Sequence, residues 1–260
     1  SAVNVFYGES ENFSPPDTTA INVFGRQIAP PSGETKDYGV SVGLLDDRVT
    51  VRLVFYKTNQ LNERNSAVTA AATSIVAQHL ASFNSVRSGF NPDSDGDGFP
   101  DGYVPPPQEL LDLYRVRVDG GTISSTNPGI VDTSDFVAEG EELEVQLRPT
   151  RGWHLTFNVA RQESVRNNTG QAVHDLVYNT KLRDGSTLAT AWSSNAAANI
   201  AISSGAVGVP TGSGTLKYVF ENNIVRPISF ARAQDGGTVS ELREWRANAV
   251  AKYNFRGGLL

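Results

Sequence analysis

The 260-residue chain contains no cysteine and no methionine. The first absence excludes disulfide frameworks, thiol catalysis and cysteine-ligated metals. The second extends to position 1, and no signal-peptide pattern is visible there. The chain opens on SAVNVFYGES, which reads as the middle of a strand, and closes on YNFRGGLL, a strand running into a turn. These features predict a piece of a longer polypeptide; the alternative is a mature chain whose leader was removed. No run of about 18 or more apolar residues occurs, so no membrane-spanning helix is predicted. That absence leaves open a membrane barrel, whose strands are short and alternate. Positive charge is also scarce, with 22 Lys and Arg against 28 Asp and Glu, a net charge of −6. Such a balance argues against a general nucleic-acid binder. With 39% apolar and 19% charged residues, the chain is too apolar to be disordered.

What the chain has is alternation with a period of two. In RVTVRLVFYKT, Val49, Val51, Leu53 and Phe55 share one face, and Thr50, Arg52 and Tyr56 the other. Leu143, Val145 and Leu147 oppose Glu142, Glu144, Gln146 and Arg148. Trp153, Leu155, Phe157 and Val159 oppose His154, Thr156, Asn158 and Gln162. Trp245, Ala247, Ala249, Ala251, Tyr253 and Phe255 oppose Arg246, Asn248, Lys252 and Asn254. Tyr38, Val40, Val42 and Leu44 alternate with glycine and serine.

A soluble sandwich alternates too, so the connections discriminate. Strands predicted at 37–44 and 48–58 are joined by LDDR, and those at 141–148 and 153–164 by PTRG. Between the tight turns lie long excursions at 10–36, 59–140 and 165–240. Ordinary domains connect most elements with about 4–6 residues. Tight turn, long excursion, tight turn is the rhythm of an outer-membrane barrel. Phe55, Tyr56, Trp153, Trp245, Tyr253 and Phe255 fall near strand ends, where interfacial aromatic girdles belong. Core aromatics of a soluble sheet are the competing reading.

The excursions carry helical signals. Val68, Ala72, Val76, Leu80 and Phe83 fall on one helical face, with Asn65 or Ser66 as the cap. PPPQELLDLYRV reads as a short helix with proline in its first turn, and NTGQAVHDLVYNTKL as another. SSGAVGVPTGSGT reads as a flexible stretch.

One segment of the first large excursion concentrates negative charge. In NPDSDGDGFPDG, Asp93, Asp95, Asp97 and Asp101 alternate with glycines. Counted from Asp93, carboxylates stand at positions 1, 3, 5 and 9, a glycine at 6 and the Phe99 carbonyl at 7, which is the opening of a calcium loop. Hard oxygen donors select a hard ion, hence Ca²⁺. Val104 stands where an EF-hand places its bidentate glutamate, so the motif is closer to the short DxDxDGxxD form. The expected metal ligands are Asp93, Asp95, Asp97, Phe99 through its carbonyl, and Asp101, and the ion's role is structural. A solvated acidic turn held by side-chain-to-backbone hydrogen bonds is the alternative.

Other chemistry is thin. His79, His154 and His174 lack metal-ligand spacing, and His79 reads as a packing residue on an apolar helix. No serine sits in G-x-S-x-G. No catalytic residues are predicted, and the chain is not expected to be an enzyme.

VFGRQIAPPSGETKDYGVSVGLLDDRVTVRLVFYKT, RGWHLTFNVARQESVRNNTG and ELREWRANAVAKYNF resemble the barrel portion of large bacterial TonB-dependent outer-membrane receptors. The resemblance covers roughly half of the chain. It implies an all-β fold: an antiparallel transmembrane β-barrel portion, about six strands of a larger barrel, with short helices in long extracellular loops. On this reading residues 1–260 form a partial barrel region, with extracellular excursions at 59–140 and 165–240. It implies import of a scarce or large substrate, such as a siderophore, glycan or cofactor. The implied partners are outer-membrane lipid, the remainder of the parent barrel and its plug, and TonB through an N-terminal region. The competing class is a calcium-stabilised extracellular β-rich module, an adhesin or filament subunit.

Overall fold

The computed structural model describes every residue except 1, 16, 88, 90, 104–111, 113–116, 120–121, 125–128, 203–213, 239–242 and 256–260. The expected helix near Pro107, the Gly/Ser stretch and the turn at Gly257 therefore lie outside the described residues, in whole or in large part.

Strands β1 (Ala2–Phe13), β2 (Ser32–Leu44) and β3 (Val49–Arg64) are followed by helix α1 (Ser66–Arg87). A short hairpin comes next, β4 (Arg117–Asp119) and β5 (Thr122–Ser124). Then come β6 (Thr133–Leu147), β7 (Trp153–Asn167) and, after a second helical stretch, β8 (Trp245–Tyr253). The long strands form one six-stranded sheet in the order β1-β2-β3-β6-β7-β8, antiparallel throughout. The fold is mostly β with short helices, and the sheet does not close on itself.

Two connections at one end are tight. Leu45, Asp46 and Asp47 all take positive φ between β2 and β3, and residues 148–152 join β6 to β7. At the other end the strands run further than their side-chain pattern suggests. KTNQLNER has Leu61 as its one apolar residue and no alternation, yet β3 continues through it, with Asn59 opposite Val137 and Gln60 opposite Phe136. A ladder needs backbone donors and acceptors, not apolar side chains, so polar residues prolong it without an alternation signal. The register slips between Gln60 and Glu63, where Asn62 adopts φ 59 and gives its amide to Asp135 Oδ1 at 2.9 Å. β3 has 16 residues and β6 and β7 have 15 each, more than the about 9–11 that a tilted strand needs to cross a bilayer.

The excursions at this end pack into a helical cap. α1 has Asn65 as its cap, whose Oδ1 accepts the Val68 amide at 3.2 Å. Helix α2 (Gln171–His174) runs into a π turn at Asp175–Asn179, and α3 spans Leu188–Ser193. Helix α4 (Leu216–Phe220) passes through a π turn at Glu221–Val225 into α5 (Arg226–Arg232). Val68, Ala72 and Val76 of the expected stripe are buried, joined by Ile75 and His79, and Leu80 is half-buried. They meet Leu176, Leu188, Trp192, Phe220, Ile224 and Ile228 in one core, to which the connection after β1 adds Val23. Among the described strand residues, Ala160 alone belongs to the buried apolar set. The packed interior is thus in the cap, not under the sheet.

Asp132 ties the excursions together. Its carbonyl accepts the Asn65 amide at 2.9 Å, and its carboxylate accepts the amides of Thr133 at 2.8 Å and Val173 at 2.9 Å. Burial raises the pKa of this carboxyl, and the two amides pull it back down. Beside it, Gly170 sits at φ 64, and a Cβ there would meet Val68 Cγ1 at 2.4 Å. Both the left-handed backbone and the close approach require glycine.

Candidate functional site

The antiparallel register assembles the alternating residues into an apolar face. Val3, Val42, Val51, Val145, Phe157 and Ala249 stand in one row across all six strands. The next row is Val5, Val40, Leu53, Leu143, Val159 and Ala247. Leu44, Val49, Leu147, Leu155 and Ala251 form the row toward the tight turns. No described element covers this face: Val5 is 80% exposed and Phe157 43%.

Aromatic rings bound it on both sides. Tyr38 stacks on Phe55 at 5.4 Å in the row that also holds Tyr7 and Trp245. At the turn end Trp153 packs on Tyr253 at 5.0 Å, and Tyr253 on Phe255 at 4.7 Å. Trp153 and Arg161 are eight residues apart on β7, about 26 Å of strand, which a tilt of about 40° shortens to about 20 Å. Charge begins within that row, at Glu141 and Arg161 between Phe55 and Trp245, and the next row is charged throughout. Glu9, Lys36, Lys57, Glu139 and Glu163 stand side by side there, with Lys36 3.4 Å from Glu9 and Lys57 3.5 Å from Glu139.

Tyr56 departs from the expected girdle. It points to the opposite face, where a Cβ on Gly140 would come within 2.6 Å of its hydroxyl. That face is polar. Arg52, Glu144, Asn158 and Asn248 form one row, Arg52 lies over the Phe6 ring at 5.0 Å, and Arg246 pairs with Glu142 at 3.2 Å. The charged row and these ion pairs escape a reading by hydrophobic period, because they appear only once the register aligns distant residues.

The aspartate segment lies in the cap. Asn91 anchors it, with its Oδ1 accepting the Ala201 amide at 3.2 Å while its Nδ2 donates to the Ala201 carbonyl. The rings of Phe99 and Tyr103 are buried 5.2 Å apart, and the Tyr103 hydroxyl meets His79 Nδ1. Gly96, Gly98 and Gly102 all take positive φ. Asp93 accepts the amides of Gly96 at 2.8 Å and Gly98 at 3.1 Å. Asp101 accepts the Ser94 amide and hydroxyl, each at 2.8 Å, which holds its carboxyl below the usual range. Ligand atoms of Asp93, Asp95 and Asp101 come within 4.8 Å of one another. Asp97 is not in that group; its Oδ1 accepts the Phe99 amide at 2.8 Å. The donor set is all oxygen, which fits a hard divalent cation.

His79 is fully buried, with the Trp192 ring 4.8 Å away, and desolvation pushes its imidazole down to about 3. It packs in the core. No described helix is long and apolar enough to cross a membrane, a fact that does not bear on strands.

No protein-family model matches the chain, and no curated protein matches it. Similar solved structures include the pyoverdine outer membrane receptor FpvA from Pseudomonas aeruginosa PAO1 bound to pyoverdine, at 11% identity and a TM-score of 0.35 over 64% of this chain and 17% of that one. The FpvAI–pyocin S2 complex matches at 11% identity and a TM-score of 0.36 over 64% of this chain. The chain spans 16% of the length of that second structure. Likeness at this level bears no weight in assigning a function.

Proposed function

We propose that this chain is a section of the wall and outer loops of an outer-membrane barrel of the TonB-dependent receptor type. The observation that carries this reading is the uncovered apolar band, which crosses all six strands and is rimmed by aromatics and then by charge. A face of this extent is unfavourable in water and satisfied in lipid. The polar face turns to the barrel interior, and the outer edges of β1 and β8 pair with the remainder of the parent barrel, since open edges are not tolerated in hydrocarbon. The helical cap lies outside the cell. The parent imports a scarce or large substrate, such as a siderophore, glycan or cofactor, with its plug and TonB as partners. The chain is not an enzyme in this reading.

In the same reading the loop of Asp93, Asp95, Asp97, Phe99 and Asp101 holds one structural Ca²⁺ at about 2.3–2.6 Å. The three converging carboxylates support it.

The alternative, a calcium-stabilised extracellular module such as an adhesin or filament subunit, draws on one observation: the packed core lies in the cap. Detergent dependence separates the two. The wall reading expects a chain that needs detergent or lipid and whose Trp153 and Trp245 fluorescence is quenched by brominated lipid. A monodisperse chain in plain buffer decides for the module.

A further inference from the structure

The polar face of β6, β7 and β8 holds a cleft of about 350 Å³, to which Glu142, Glu144, Asn158, Arg246 and Asn248 contribute. That volume is at the small end of ligand sites, which run from about 300 to 1,000 Å³. Its charges cancel: Arg246 holds Glu142 at 3.2 Å, and Arg52 stands directly across the β3–β6 ladder from Glu144. Asn158 and Asn248 face each other across the β7–β8 ladder, and among the described residues neither side chain is in a hydrogen bond. The Asn158 Oδ1 is shielded from water without a partner, so the amide gains from a donor that enters the cleft. Neutral hydrogen-bonding side chains continue this surface in both directions. Toward the cap, the hydroxyls of Thr35 and Thr58 meet at 2.9 Å, in one row with Ser164. Toward the tight turns stand Thr50, Gln146 and Thr156. From Thr58 to Thr50 is about 26 Å of strand.

We propose that this cleft binds a unit of a neutral glycan, on the import path of the parent barrel. The inference rests on the reading of the polar face as the barrel interior, and it narrows the substrate class left open there. A sugar hydroxyl both gives and accepts a hydrogen bond, so neighbouring hydroxyls pair with the two ends of one planar amide. Asn158 and Asn248 supply those amides. Glu144 accepts a further hydroxyl through Oε2, since Gln146 donates to its Oε1. A neutral occupant follows from the balance of charge. An anionic metal chelate meets two carboxylates in the cleft, whose own cation, Arg246, is already engaged. A cationic ligand finds Glu142 and Glu144 already faced by Arg246 and Arg52. The flanking hydroxyls and amides give a linear chain successive partners, which replace the water it sheds on entry.

The test holds the full chain in mild detergent and measures binding of maltohexaose, cellohexaose, xylohexaose and mannohexaose by saturation-transfer NMR and calorimetry. Hexagalacturonate is the anionic comparison. At least one neutral hexasaccharide is expected to bind, and to bind more tightly than hexagalacturonate. N158L combined with N248L is expected to weaken that binding about tenfold, the net worth of about two hydrogen bonds. N248A alone, at an exposed position of the end strand, is expected to weaken it about threefold. T156V, on the same face outside the cleft, keeps it and serves as the folded control. Hexagalacturonate binding as tight as or tighter than that of the neutral probes overturns the proposal, as does a double variant that binds like the wild type. A chain that needs detergent and binds none of the four neutral probes defeats this inference alone. A chain that is monodisperse without detergent and binds none of them defeats the barrel-wall reading as well.

Discussion

The Tyr103 hydroxyl and the His79 imidazole, 24 residues apart, meet inside the cap and join the aspartate segment to α1. Burial in this dry site disfavours the charged imidazolium, and that has a pH consequence. The ring's value falls from 6.5 unfolded to about 3 folded. The unfolded chain therefore binds more protons between those limits. Stability from this site is full above 6.5 and declines as the pH drops, by up to about 1.4 kcal/mol per unit. Thermal unfolding of the cap followed from pH 7 to 4.5 should show the decline. His79→Leu should flatten the slope whatever it does to the midpoint. Asp132, raised by burial, carries the opposite sign from its ordinary 3.8 upward, so an unchanged slope in His79→Leu would clear His79 of the effect.

Leu155 and Thr156 are neighbours on β7 and point to opposite faces. Leu155→Arg should destabilise a lipid-embedded sheet by about 2–4 kcal/mol, and Thr156→Arg should be mild. Denaturant unfolding from vesicles measures both. Equal tolerance would count against a lipid-facing band.

Asn91 is buried and bridges Ala201 through both ends of its amide. Asn91→Ala strands a backbone amide and carbonyl and should lower cap stability by about 1–3 kcal/mol. Hydrogen exchange across 91–103 should accelerate while the strand ladder stays protected. Acceleration spread evenly over the sheet would contradict a cap that opens on its own.

Gly170 combines φ 64 with an approach to Val68 that leaves no room for a methyl group. Gly170→Ala should destabilise by about 1–3 kcal/mol through overpacking alone. Adding Val68→Ala should recover part of that loss, because it removes the clash and leaves only the backbone strain. Strict additivity of the two changes would refute the contact.

For the calcium proposal, Asp95→Ala should abolish binding in calorimetry, because Asp95 is one of the three converging carboxylates. Asp97→Ala should weaken binding less, since its carboxylate is not among the three that converge. Wild-type protein that takes up no calcium would leave the segment as an acidic turn held by its own hydrogen bonds.

Much of the sheet was legible in the chain. Val49, Val51, Leu53 and Phe55 announce a strand and its apolar side because the pleat sends successive side chains to opposite faces. The tight turn at LDDR was equally readable. The continuation of β3 from Lys57 to Arg64 was not, since a backbone ladder leaves no mark in side chains that do not alternate. Nor was the burial of Gln78 and Ser82 on α1, which depends on what covers the helix. The aspartate spacing was local and so visible, but the engagement of Asp97 by its own loop depends on backbone torsions. The row that sets Glu139 against Glu163, and the core that brings Trp192 to His79, belong to the tertiary structure alone. Period and turn chemistry are properties of neighbouring residues, so the sequence by itself determined the faces and the hairpins. Register and packing are relations between residues distant in the chain, and only folding decides them.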